Sequence, residues 1–155
     1  MHVNKWLIAG GCLSALAALL HLAVIVGGPD WYRFFGAGEE MARAAERGSI
    51  RPALITIAIA SLLLVWAAYA WSGAGLLRRL PLLRTALVLI CAIYLLRAVS
   101  PVPILLMGLE PFTPFILWSS LIVLVYGLAH AIGTWQAWPA LRPRARERKK
   151  NFPTP

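Results

Sequence analysis

Residues 52–77 read PALITIAIASLLLVWAAYAWSGAGLL, a run of apolar and small residues that opens with proline and stops just before the basic cluster Arg78, Arg79 and Arg84. A hydrocarbon core about 30 Å thick needs about 20 apolar residues per helical crossing, so this stretch is long enough to span a bilayer as one helix. Pro52 suits the first helical turn, where its missing N–H has no intrahelical acceptor to lose. Three more stretches of the same character accompany it, over 6–27, 82–107 and 115–135.

Four crossings with short connections consume nearly all of the 155 residues, 60% of which are hydrophobic and 14% charged. An ordinary soluble domain carries roughly 25% charged residues, so lipid is the expected solvent. The sequence therefore predicts an all-α membrane protein: a four-transmembrane-helix bundle forming one domain over 1–138, followed by a basic, flexible tail over 139–155. The first run, Trp6 to Val26, follows Lys5 as a secretory signal would. It is longer than the roughly 7 to 15 residues of a signal core and no small-x-small cleavage site follows, so it counts as the first crossing. Its Gly10, Gly11, Ser14, Ala15 and Ala18 give small residues at four-residue spacing, a surface on which helix backbones approach closely in lipid.

The third stretch is interrupted by Ser100, Pro101, Val102 and Pro103. Proline removes backbone donors and crowds the preceding turn, which predicts a kink there. Cys12 and Cys91 lie inside apolar stretches without the spacing of a redox pair or metal site, and both are expected to be buried structural thiols. No metal and no cofactor is expected.

The formal charge of +9 does not point to nucleic acid, because the basic residues sit at the ends of apolar stretches and in the tail. Lys5, the cluster Arg78, Arg79 and Arg84, and the tail from Arg142 to Lys150 fall on one side of a four-crossing layout. Positive residues are retained on the cytoplasmic side. Both termini are thus expected in the cytoplasm of a bacterial-type cell, with the tail lying on anionic lipid. The connection after the first crossing balances Asp30, Glu39, Glu40 and Glu46 against Arg33, Arg43, Arg47 and Arg51 and suits the outer side. Within it Trp31, Phe34, Phe35, Met41, Ala42 and Ala45 recur at helical spacing. An amphipathic helix on the outer surface follows, capped by Asp30 and ended by Gly48. Trp6, Trp71, Trp118, Trp135 and Trp138 fall near the ends of the crossings, as headgroup-seeking rings do.

Ionisable side chains inside hydrocarbon are costly and invite a functional reading. His21 lies roughly 22 Å along the first crossing and Arg97 roughly 19 Å along the third, counted from the cytoplasmic side at the helical rise, so they share a level in the outer half. A guanidinium keeps its proton and must find partners or water, and Glu39, Glu40 and Glu110 are the anions within reach. The sharpest expectation is a ligand pocket beneath the outer helix, walled by His21, Arg97, Glu39, Glu40 and Glu110. The bland one sends Arg97 to the headgroups and leaves His21 on a helix carbonyl. His130 counts to a level about 15 Å from His21, which argues against a haem iron held between two histidines.

The stretch from Arg33 to Glu39, Arg-Phe-Phe-Gly-Ala-Gly-Glu, after one apolar helix and before three more, resembles small four-helix bacterial inner-membrane proteins of the DoxX-like kind. The likeness covers the layout and that one segment. It implies a four-helix inner-membrane fold and carries over no functional residue. The four-helix sterol isomerase superfamily shares the helix number, but its paired acidic residues within the crossings have no counterpart here.

Three function classes fit. The first is a non-catalytic membrane protein that binds a lipid or small hydrophobic ligand, or serves as an accessory subunit beside a partner membrane protein or further copies of itself. The second is a membrane-embedded enzyme acting on a lipid-like substrate with His21 as acid or base. The third is a small oligomeric transporter, which would need a continuous polar path.

Overall fold

The computed structural model describes residues 3–108 and 114–141. Helices make up about 80% of it and no strand occurs among the described residues. The helices are α1 (Lys5–Gly27), α2 (Pro29–Phe34), α3 (Glu39–Glu46), α4 (Arg51–Ala74), α5 (Leu83–Val99), α6 (Pro101–Leu106) and α7 (Pro114–Ala137). Four helical spans are long and apolar enough to cross a membrane: α1, α4, residues Leu83–Pro103 and α7, with mean hydropathies of 2.2, 2.2, 2.0 and 2.0. The chain is a multi-pass, four-helix membrane protein.

The bundle is antiparallel from neighbour to neighbour. α1 runs along α4, α5 runs along α7, and contacts of α1 with α7 and α4 with α5 close the ring. Asn4 starts α1 by accepting from the Leu7 amide at 3.1 Å, and its Nδ2 donates to the Gly133 carbonyl of α7 at 2.8 Å. One residue thereby satisfies a helix end and joins two helices.

Small residues and rings fill much of the interior beside Leu7, Leu63, Leu87 and Ile90, and many other large aliphatic side chains face outward. Gly10, Gly11, Ser14 and Ala18 form the buried stripe of α1, and Ala60, Ala67, Ala70 and Ala74 that of α4. Leu16, Leu19, Leu62, Leu96 and Val125 are exposed. Lipid tails are as apolar as leucine, so burying leucine gains little and close backbone approach decides which face turns inward. For the same reason Cys12, expected to be buried, is exposed on the outside of α1, while Cys91 is buried.

The third crossing breaks where the prolines are: α5 ends at Val99, Ser100 stays near helical geometry, and α6 begins with Pro101. The connection between α1 and α4 holds two short helices instead of one. Gly36 and Gly38 take left-handed φ values of 70° and 94°, a conformation that glycine tolerates without steric cost and that ends α2 before α3 begins. Asp30 sits in the first turn of α2, and the residue preceding the helix is Gly28. Gly48, at φ 72°, follows the end of α3. This pair of helices caps one rim of the bundle through Tyr32 and Ala42, which pack with Val24 of α1.

Candidate functional site

The described residues expected to wall one pocket make no hydrogen bond or ion pair with one another. His21 is half-buried with its Nδ1 2.7 Å from the Ala17 carbonyl of its own helix. Arg97 is exposed in the last turn of α5 and forms no ion pair among the described residues. Glu39 is engaged elsewhere: the Arg33 guanidinium holds both of its oxygens, at 2.9 and 3.1 Å, and Arg43 Nε reaches it at 2.9 Å. Arg33 also reaches Asp30 at 3.3 Å and Glu46 at 2.7 Å, so one guanidinium ties α2 to both ends of α3. Its hydrogen bonds, with those of Arg43, hold the Glu39 carboxyl down at about 2, and the same carboxylates raise Arg33 above its ordinary value. Glu40 is exposed and lines a separate groove. Glu110 and the basic tail from Arg142 lie outside the described residues. No hydrogen bond or ion pair among the described residues joins His21 to Arg97, or either to Glu39 or Glu40.

The polar residues that do meet inside the bundle belong to other positions. Tyr126, His130 and Thr134 recur every four residues on α7 and present one stripe, opposite Cys91 and Tyr94 of α5 and Gly10 and Ser14 of α1. Ser14 Oγ and Tyr94 OH form a 2.9 Å hydrogen bond. Ser14 lies about 14 Å along α1, close to the middle of the membrane. Tyr94 is ringed by Trp66, Tyr126 and His130, with centroids 5.0, 5.7 and 5.2 Å away. Cys91 Sγ stands 3.6 Å from Thr134 Oγ1.

His130 is 0% exposed. Its Nδ1 lies 2.8 Å from the Tyr126 carbonyl, which can only accept, so Nδ1 carries the ring proton and Nε2 is left as an acceptor. That Nε2 is buried without a hydrogen-bond partner among the described residues. The ring seats on Gly10, where an added Cβ would stand 2.9 Å from both Cε1 and Nδ1. Gly10 precedes His21 by eleven residues, or about 16 Å of helix, which keeps the two histidines at separate levels. Among the described residues no group of three or more His, Cys, Asp or Glu side chains has the arrangement to hold a metal ion.

Open clefts lie on the outside of the bundle, each lined by described residues. One of about 410 Å³ sits where α3 passes into α4, lined by Glu40, Arg43, Arg47 and Arg51 on its polar side and by Met41, Pro52 and Ile55 on its apolar side. A second, about 690 Å³, lies at the opposite rim beside Asn4, Lys5, Trp6 and Gln136. A third, about 450 Å³ and lined by Val88, Cys91, Thr134, Trp135 and Trp138, runs between α5 and α7.

Sequence reasoning passed over two of these features. The Arg43, Arg47, Arg51 series has helical four-residue spacing, but it reads as loop charge until α3 and α4 are seen to share a wall. The His130 seat is announced only by Gly10, and glycine alone does not name its occupant. No protein-family model, no curated protein and no solved structure matches the chain.

Proposed function

We propose that this protein is a non-catalytic membrane protein that binds a lipid or other amphipathic hydrophobic ligand at the rim of its four-helix bundle. It resides in a bacterial-type inner membrane with both termini in the cytoplasm, a reading supported by Lys5, Arg78, Arg79 and Arg84, which fall together on the rim opposite α2 and α3. The α2–α3 cap is then an amphipathic element on the outer surface.

The observation that carries the reading is the contrast between a bundle interior filled by its own side chains and a charged-and-apolar cleft at the rim. Ser14 is used by Tyr94, Cys91 by Thr134 and His130 Nδ1 by Tyr126, whereas the α3–α4 cleft offers guanidinium groups above an apolar wall. Extraction in a mild detergent followed by native mass spectrometry tests the reading. Retention of a defined molecule at one per chain supports it, and a chain bare of lipid at every detergent concentration refutes it.

A membrane-embedded enzyme is the competing reading, and the unpartnered His130 Nε2 beside Tyr94 is what favours it. It requires that a substrate reach that nitrogen. A His130→Gln variant that keeps its fold and its bound lipid unchanged speaks for the binding role.

A further inference from the structure

We infer that the cleft between α3 and α4 is a site for the phosphate-bearing headgroup of an anionic phospholipid, whose acyl chain lies along the exposed face of α4. The inference rests on the lipid-binding reading above and names the class of lipid.

Three guanidinium groups line this cleft: Arg43 on α3, Arg47 just past its end, and Arg51 at the start of α4. Arg43 is shared with Glu39, but Arg47 and Arg51 form no ion pair among the described residues and are exposed. Guanidinium presents a planar fork of donors that matches phosphate oxygens. Arg51 is also the first residue of α4, a helix of 24 residues whose amino-terminal end carries partial positive charge. Glu40 is the one carboxylate lining the cleft among the described residues. With Arg43 committed to Glu39, Arg47 and Arg51 stand against Glu40, a net single positive charge that one phosphate charge balances.

Charge alone would admit free phosphate, but the apolar side of the cleft commits the site to a lipid. Met41, Pro52 and Ile55 floor the cleft, and Ile55 lies about 6 Å below Arg51 along the helix axis. Ile55, Ile59 and Leu62, at 40, 41 and 50% exposure, continue the same stripe at spacings of four and three residues into the hydrocarbon region. A headgroup held by Arg47 and Arg51 would therefore have an acyl chain directed down that stripe.

The test uses the full chain in detergent micelles, with native mass spectrometry of bound phosphatidylglycerol, phosphatidylethanolamine and inorganic phosphate. The expected result is one phosphatidylglycerol per chain, preferred over phosphatidylethanolamine and undisturbed by millimolar phosphate. Arg47→Gln/Arg51→Gln should weaken phosphatidylglycerol about 30-fold, from the usual contribution of a basic residue at an anionic lipid surface. Arg47→Lys/Arg51→Lys, which keeps the charge but loses the planar fork, should recover part of that loss. Ile59→Asn/Leu62→Asn should weaken lipid binding while leaving the preference for phosphatidylglycerol.

Equal binding of both lipids, unchanged by the Gln pair, would overturn the headgroup assignment and leave the lipid-binding reading standing. Displacement by inorganic phosphate would overturn the lipid as the source of the phosphate. A wild-type chain that retains no lipid at all would refute the parent reading as well.

Discussion

Gly10→Ala isolates the seat of His130, because its effect should change sign when the histidine is removed. In the wild-type chain the new Cβ would stand 2.9 Å from two atoms of the imidazole. That ring has little freedom to retreat: Nδ1 is tied to the Tyr126 carbonyl and Tyr94 packs beside it. Overpacking of this kind costs about 1–3 kcal/mol. The gain in helix propensity from glycine to alanine, at most about 1 kcal/mol, offsets part of it. A net loss of roughly 1 kcal/mol is expected. In a His130→Ala background the three atoms nearest the added Cβ are gone, that steric cost is removed, and Gly10→Ala should be neutral or stabilising. The coupling between the two sites is therefore about 1–3 kcal/mol, the whole of the steric cost. Unfolding of the four variants in mixed dodecylmaltoside and sodium dodecyl sulfate micelles measures it. Equal effects of Gly10→Ala in both backgrounds would show that α1 and α7 do not meet through this contact, and the packing described for the bundle would be wrong.

Two further outcomes follow from the same geometry. Tyr94→Phe removes the hydrogen bond to Ser14 while keeping the ring contacts. It should lower stability by about 0.6 kcal/mol, the mean for an interhelical hydrogen bond within a membrane, in the same micelle assay. A loss above roughly 2 kcal/mol would mean that the hydroxyl does more than bridge two helices. For the α2–α3 cap, the Glu39 carboxyl sits at about 2 against an ordinary value of 4.5. A carboxyl lowered on folding stabilises above its unfolded value, and the contribution is lost as pH falls through its folded one. Hydrogen-exchange protection across residues 29–46 should thus stay constant from pH 7 to about 5 and fall between about 4.5 and 2, whereas Glu39→Gln should show the weakened cap already at neutral pH.

The crossings were legible because their signal is one of length and composition, which lipid imposes on every residue of a span alike. The stretch 52–77 lies almost entirely within α4. The break at Ser100 was legible too, since proline acts on its own backbone whatever surrounds it. Side-chain direction is a different kind of information. In water, hydrophobic periodicity tells the inner face from the outer. In this bundle Leu16 and Leu19 face out while Gly10 and Ser14 face in, so apolarity carries no direction. Cys12 and Cys91 illustrate the point, being alike in sequence context and opposite in burial. The anticipated pocket had a related weakness. Depth counted along a helix places His21 and Arg97 at one level, but level says nothing about azimuth, and Arg97 points out of the bundle.

Depth and azimuth together explain why the polar centre forms around Tyr94 and His130. A tyrosine or histidine in lipid must place its polar tip on a partner within the bundle, since hydrocarbon offers none. Close helix approach at Gly10 and Ser14 brings α1 near enough to α5 and α7 for that to happen: Ser14 and Tyr94 share a hydrogen bond between their hydroxyls, and Gly10 leaves room for the imidazole ring. The same small residues that let the backbones approach also supply the space that the rings fill. Arginine follows the opposite rule. Its charge cannot be discarded, so every arginine of the α2–α4 rim stays at the surface, either neutralised as Arg33 is by Glu39 and Glu46 or, as Arg47 and Arg51 are, exposed with no ion pair among the described residues. Binding chemistry in this fold is therefore expected at the rim, while the interior serves to hold the four helices in register.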